Sequence, residues 1–488
     1  MDKVGRIPLW TGREIADALN IAVDEKISVD GISIDTRSLE PGDLFVALPG
    51  EQVDGHKFVE AAFAAGAVAA MVSEDYSCPP GVDAGALIRV ADPFLALVEL
   101  GKAARNRSAA TIIGVTGSAG KTGVKDTLGY AFSQLCPTQW SVKSYNNHLG
   151  VPLTLARLHK DTEVAIFEMG MNHAGEISAL TAQVRPHIAL ITTVAGAHKE
   201  NFASEEGIAD AKAEIFEALD GPKIAILPAD NRHFERLKAH AERLGASAIH
   251  TFAADPKPTD QQATVQGLRI KLHADCSCVS ADVFGQKMIF KVGIPGHHWV
   301  QNALAILCVG SAAHADLGRI ALALAEIETP EGRGNRIDLA FGSHGLSLIN
   351  DSYNANPASM RASFATLSRM EPRGGGRRVV VLGDMKELGP TARQDHADLA
   401  PALIKAECEL LIAIGDDVQA LADEMQSKCT VIRGEQADNA VIGEVVNALR
   451  PGDIVLVKGS NASGVSQVVR DLVNRFGIDA SHQMEGGR

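Results

Sequence analysis

The chain has 488 residues, 46% of them hydrophobic and 22% charged, with a formal net charge of −14. That length exceeds what one core serves and predicts three domains, while the acidic balance argues against general affinity for a nucleic acid backbone, because counterion release needs clustered Lys and Arg. No apolar run is long enough to cross a bilayer, the start MDKVGRIPLW lacks the apolar core of an export signal, and seven scattered cysteines do not form a disulfide framework, so a cytoplasmic monomer without membrane insertion is expected.

Residues 1–106 read as a first unit, with strand-like runs at 31–34 and 43–48 and a helical stretch at 56–65. The polar run GKAARNRS at 101–108 marks a boundary before the next unit. Residues 107–329 form that second unit. Its short apolar runs at 111–115, 164–167, 188–192 and 224–227 alternate with helical segments, the signature of a parallel sheet covered on both faces. Beyond about residue 245 the pattern becomes alternating, at 268–272 and 288–292, which predicts a small antiparallel subsheet before a helix from about Val300. In the third unit, 330–488, the runs at 379–384, 410–416 and 454–460 each end in a glycine turn, as parallel strands of a Rossmann-like doubly wound domain do. The fold class is therefore α/β, and without G-x-G-x-x-G a dinucleotide has no support. Cys276 and Cys278, the only close pair, read as alternating strand residues rather than zinc ligands.

The stretch TIIGVTGSAGKTGVKD at 111–126 joins an apolar strand to a glycine-rich turn and a helix, a cradle for phosphates. Gly117 and Gly120 allow backbone N–H groups to face an anion, Lys121 brings a cation to the outer phosphates, and Thr122 offers a hydroxyl to Mg²⁺. Strict P-loop spacing puts a glycine where Val115 stands; Gly114 lies one place early, so the loop is a variant, with ATP the expected ligand. Glu168, at the C-terminal end of its strand, is the first candidate for a metal carboxylate, and His198 follows the next strand toward the same crevice. Lys212 falls among Ile208, Ala211, Ile215 and Phe216 on the apolar face of a helix spanning 204–219. Burial there lowers an amine's pKa and permits a carbamate with CO₂, although the pattern alone favours a snorkelling lysine.

Several segments together resemble the Mur ligase family, over the whole chain: SYNNHLGVPLTL at 144–155, FEMGMNHAGEI at 167–177, AHKENFAS at 197–204, AKAEIF at 211–216, NDSYNANPASM at 350–360 and LGDMKELG at 382–389. The resemblance implies ATP-dependent amide-bond formation through an acyl phosphate. The 350–360 segment is similar to that of members that add D-alanyl-D-alanine to a UDP-N-acetylmuramoyl-tripeptide; the alternatives are a sister activity adding a diamino acid and a non-catalytic nucleotide-binding protein. It further implies a nucleotide loop of Thr116, Gly117, Ser118, Ala119, Gly120, Lys121 and Thr122, Mg²⁺ near Thr122, Glu168 and His198, and a carbamoylated Lys212. His298 and Asn302 correspond to adenine contacts, and Arg333, Asp351 and Asn354 reach from the third unit toward the ribose and phosphates. Thr36 and Arg37, in IDTRSLEPGDLF, correspond to contacts with the uridine diphosphate, with a plain surface turn as the other reading. Asn146 and Asn147 serve the muramoyl substrate or hold a turn. The chain departs from the family pattern at Trp299, where asparagine is usual, and at Asn461, where arginine is common.

Overall fold

The computed structural model describes residues 7–50, 53–141, 144–196, 199–202, 204–255 and 262–479. Apart from a two-stranded ribbon, its strands form three sheets. The first comprises β1 (Gly31–Ser33), β2 (Asp43–Val46), β3 (Ala69–Ser73) and β4 (Leu87–Val90), in sequential order and all parallel.

The central sheet comprises β5 (Thr111–Thr116), β6 (Thr138–Trp140), β7 (Val164–Glu168), β8 (Ile188–Ile191), β9 (Ile224–Pro228), β10 (Ala248–Ala253), β11 (Val265–Leu272), β12 (Ser277–Val283) and β13 (Gln286–Val292). Its order is β13-β12-β11-β10-β9-β8-β5-β7-β6. The expected antiparallel subsheet is β11–β13, and it is not separate: β11 pairs in parallel with β10, so one sheet runs through both parts. Side chains alternate between two cores. Ile112, Phe167, Ala189 and Ile191 face one, while Ile113, Val115, Ile166 and Leu190 face the other. Burial on both faces explains why these strands read as continuous apolar runs rather than as alternation. Cys278 stands on β12 and Cys276 just before it; no group of three His, Cys, Asp or Glu side chains gathers as a metal site among the described residues.

The third sheet comprises β14 (Asn335–Leu339), β15 (Leu346–Asp351), β16 (Arg378–Gly383), β17 (Leu410–Ile414), β18 (Thr430–Gly434) and β19 (Ile454–Lys458), in the order β14-β15-β19-β16-β17-β18. Only the edge pair β14–β15 is antiparallel. The strand order reverses beside β15 and β19, a switch point where a doubly wound sheet opens a crevice at its strand ends.

The polar run at 101–108 has regular structure. It is the end of a helix, α1 (Pro93–Arg107), started by the Asp92 side chain, which accepts from the backbone N–H groups of Phe94 and Leu95. Arg105 on it is 4% exposed and donates to the carbonyls of Val184 and Arg185 at 2.8 Å. Its charge serves the orphan acceptors at the end of another helix, which binds α1 to the central sheet's covering layer.

Candidate active site

Helix α2 (Lys121–Ser133) starts directly after the loop that leaves β5, so its free N–H groups and dipole face the loop. Gly120, at φ 82°, and Gly117, at φ 151°, adopt backbone conformations that suit glycine. A Cβ on Gly117 would also sit 1.9 Å from Thr192 Oγ1, and one on Gly120 2.9 Å from Asn302 Oδ1. Gly114 differs from both, since it lies within β5, where a Cβ would meet Met169 Cε at 2.7 Å. The early glycine is therefore a packing residue under the sheet, outside the loop. The loop is tethered by Thr192 Oγ1, which donates to the Ala119 carbonyl at 2.6 Å, and by Ser118 Oγ, which bonds both polar groups of the Ala195 backbone. Thr116 ends the strand with its hydroxyl buried. Lys121 Nζ donates to the Gly117 carbonyl at 2.7 Å. Burial lowers its pKa, opposed by the Glu168 carboxylate and reinforced by Arg333.

Glu168 closes β7 and is 1% exposed. Its Oε1 accepts from Asn146 Nδ2 at 2.7 Å, whereas Oε2 is buried with no hydrogen-bond donor among the described residues. Such an oxygen is costly unless a cation meets it. Thr122 Oγ1 lies 3.2 Å from Ser144 Oγ and accepts from Arg333 at 3.1 Å. The Arg333 guanidinium rests 4.4 Å over the Tyr353 ring, and the Tyr353 hydroxyl is 3.3 Å from Ser144 Oγ. Thus the third sheet's segment reaches the nucleotide loop across the cleft.

Lys212, on α3 (Glu205–Ala213), is 1% exposed, so it does not snorkel. The helix is shorter than the 204–219 span expected and tightens into a 3₁₀ turn at Glu214–Phe216. Burial and the Lys121 cation push the Lys212 amine well below its usual range. His198 lies outside the described residues. Asn146 holds Glu168, whereas Asn147 Oδ1 accepts from the N–H groups of Leu149 and Gly150 and so holds a turn.

A cleft of about 770 Å³ gathers Ser118 to Thr122, Asn146, Glu168, His298, Asn302, Arg333, Asp351 and Asn354. His298 and Asn302 come from α4 (His297–Ala312), which begins three residues earlier than expected, after Gly296 at φ 117°. The protein around the cleft pushes the His298 imidazole down to about 4, against the pull of Asp351. Solvent reaches the ring along the cleft and screens the effect. Trp299, unusual at its position, packs its indole on Gly123. Asn461, the other departure, opens an exposed 3₁₀ turn after β19.

Thr36 and Arg37 lie outside this cleft on a short 3₁₀ turn, where the Arg37 side chain is 88% exposed and pairs with Asp35 at 2.6 Å. A second cleft of about 750 Å³, on the first sheet, is lined by Asp54, His56, Lys57 and Tyr76 and includes neither residue. Ser144, Tyr353, Lys458, Asn231 and Gln301 also line the main cleft. The first three had a signal, since each lies within or beside a segment that carries the family resemblance or a strand-end glycine turn.

Three family models match consecutive stretches: "Mur ligase family, catalytic domain" at 28–122, "Mur ligase middle domain" at 115–310 and "Mur ligase, glutamate ligase domain" at 332–461. The UDP-N-acetylmuramoyl-tripeptide--D-alanyl-D-alanine ligase of Escherichia coli is 34% identical over 94% of this chain and 97% of its own length. The ligase of the same name from Bacillus subtilis is 30% identical over 92% and 94%. Among solved structures, MurF from Acinetobacter baumannii superposes with a TM-score of 0.80 at 31% identity, covering 96% of this chain and 99% of that one. A phosphate loop, a buried carboxylate and a second α/β sheet meeting at one cleft, in a chain that matches ligases over nearly its whole length, define a nucleotide-dependent ligase. The chain belongs to the Mur ligase family, ATP-dependent enzymes that form amide bonds.

Proposed function

We propose that the chain joins D-alanyl-D-alanine to the free carboxylate of a UDP-N-acetylmuramoyl-tripeptide, consuming ATP and giving ADP, phosphate and the UDP-linked pentapeptide used in cytoplasmic peptidoglycan precursor synthesis. The observation that carries this reading is the meeting of Lys121, Thr122 and Glu168 with Arg333 across one cleft, in a chain that matches ligases of that name over nearly their whole length.

A carboxylate and an amine do not condense in water without activation. Transfer of the ATP γ-phosphoryl group to the tripeptide carboxylate gives an acyl phosphate; the dipeptide amine then attacks the acyl carbon and phosphate leaves. Both partners in the first step are anionic, so positive charge must converge on the transferring group. Lys121 and the loop N–H groups supply it on one side and Arg333 on the other. His298 and Asn302 take the adenine side of the cleft, and Asp351 and Asn354 the ribose. Asn146 orients Glu168, and Thr36 and Arg37 receive the uridine diphosphate. Mg²⁺ fits the donor set: the Thr122 hydroxyl and the unpaired oxygen of Glu168 would hold it, with His198 as the further ligand. When bound, it neutralises phosphate charge. Lys212, whose pKa burial lowers, fits a carbamate: the neutral amine adds to CO₂ and loses one proton, which replaces a buried amine by an anionic oxygen donor.

Phosphate release measured with ATP, D-alanyl-D-alanine and UDP-muramoyl tripeptides ending in diaminopimelate or lysine tests the reading. Release that depends on the dipeptide is expected. Release supported by a free diamino acid and a UDP-muramoyl dipeptide, but not by D-alanyl-D-alanine, overturns it in favour of the sister activity.

A further inference from the structure

We infer that Lys458 is a positioning residue for nucleotide binding, acting through Asp351 and the turn that carries Asn354. The inference rests on the proposed nucleotide reading of the main cleft. Lys458 is the last residue of β19 and stands in register with Asp351, the last residue of the parallel neighbour β15. Its side chain is 2% exposed. Nζ bonds Asp351 Oδ2 at 2.7 Å and donates to the Asn354 carbonyl at 3.1 Å, so one ammonium ties the strand end to the following turn. Ser363 Oγ, from α5 (Pro357–Leu367), approaches the same Oδ2 at 2.6 Å. With Oδ2 taken by two donors and no hydrogen bond to Oδ1 among the described residues, the carboxylate is fixed with one free acceptor oxygen in a cleft that it lines.

An anionic acceptor repels phosphates and pairs with hydroxyl donors, which makes the ribose diol its natural partner in a nucleotide. Lys458 has a second effect. It keeps Asp351 from standing as an unbalanced buried anion and places positive charge at the end of the phosphate-binding cleft. The strand-end turn KGS thus contributes its lysine to the cleft wall, and Asn461 beyond it is exposed.

The test compares ATP with 2′-deoxy-ATP and 3′-deoxy-ATP in the full chain and in Lys458→Met. Wild type should prefer ATP, and Lys458→Met should raise the KM for ATP by roughly ten- to a hundredfold, the scale of losing one hydrogen bond to a charged group. The KM values for the deoxy nucleotides should change far less, so that discrimination shrinks, and kcat should fall less than kcat/KM. If Lys458→Met does not fold, as judged by circular dichroism, Lys458→Gln takes its place; it retains one donor and should show a smaller loss in the same direction. Equal discrimination in wild type and a folded variant, or a wild type that accepts the deoxy nucleotides as well as ATP, overturns the inference. A wild type without substrate-dependent phosphate release fails instead at the proposed reaction.

Discussion

Two buried basic side chains show how a residue's surroundings decide its chemistry. Lys212 makes no hydrogen bond or ion pair among the described residues, and burial, helped by the nearby Lys121 cation, lowers its amine's pKa well below the usual range. We predict that Lys212→Ala lowers turnover by roughly 10²–10³-fold, the scale of losing one electrostatic group from such a site, and that acetate or formate restores part of it by supplying the missing carboxylate. Loss that short carboxylates never relieve contradicts the carbamate. His396 is the structural counterpart. It is fully buried, its Nδ1–H donates to the Ala392 carbonyl at 2.7 Å, and its Nε2 accepts from Met385 N–H at 2.9 Å. Burial lowers its pKa from 6.5, the Ala392 bond opposing. The unfolded chain therefore binds this proton first as pH falls, so stability is intact above about 6.5 and is lost as pH drops through the folded value. Urea unfolding at pH 7 and pH 5 should show a shallower loss in His396→Gln than in wild type; identical slopes contradict this. The motif LGDMKELG was legible, but the histidine beneath it was not, because its role depends on two backbone groups that no spacing rule connects. Lys121 and Thr122 were legible because their chemistry is local. Ser144 and Arg333, 189 residues apart, meet only through the fold.

At the scale of elements, α2 passes between two tryptophans, and its glycines make room for them. A Cβ on Gly123 would approach Trp299 Cη2 at 2.8 Å, and one on Gly129 would fall 2.3 Å from Trp140 Cδ2. This gives a physical account of Trp299: the indole fills the groove over the first turn of the nucleotide helix. Gly123→Ala should destabilise by about 1–3 kcal/mol through overpacking, despite alanine's better helix propensity. The combination of Gly123→Ala with Trp299→Phe should cost less than the sum of the single changes. Additive losses in thermal unfolding contradict direct packing. Strands such as β5, β7, β8, β9, β16, β17 and β19 were readable because parallel strands buried on both faces are short apolar runs, whereas β3, β4, β6, β10, β14, β15 and β18 were not read from the sequence. Helix α1 was not, since Arg105 looks like a surface charge until its acceptors, about 80 residues away, come into view. The packing role of Gly114 was hidden for a similar reason: the Met169 side chain that requires a glycine there lies across the sheet.

The whole molecule places the third sheet's segments against the central domain at more than one point. Arg333 reaches Thr122, and Glu200 N–H donates to the Glu387 carbonyl at 3.3 Å beside Gly389. These links are polar, and the third sheet has apolar cores of its own, apart from the core that the first and central sheets share, which is the construction expected of a third domain that moves relative to the other two. We predict further closure on substrate binding, with Arg333 passing from the Thr122 hydroxyl to the phosphates and water excluded from the acyl phosphate. Small-angle scattering should show a smaller radius of gyration with a non-hydrolysable ATP analogue and the UDP-tripeptide together. Superposable profiles contradict closure. The three-part α/β organisation was legible from runs and turns, but the approach of the parts was not, because it is set by contacts between segments distant in the chain. The central claim is that the tripeptide acid itself accepts the phosphoryl group. Turnover of a UDP-muramoyl tripeptide whose terminal carboxylate carries ¹⁸O, with the released phosphate analysed by mass spectrometry, tests it most directly. The account predicts ¹⁸O in the phosphate in step with pentapeptide formation; amide formation with only unlabelled phosphate contradicts it.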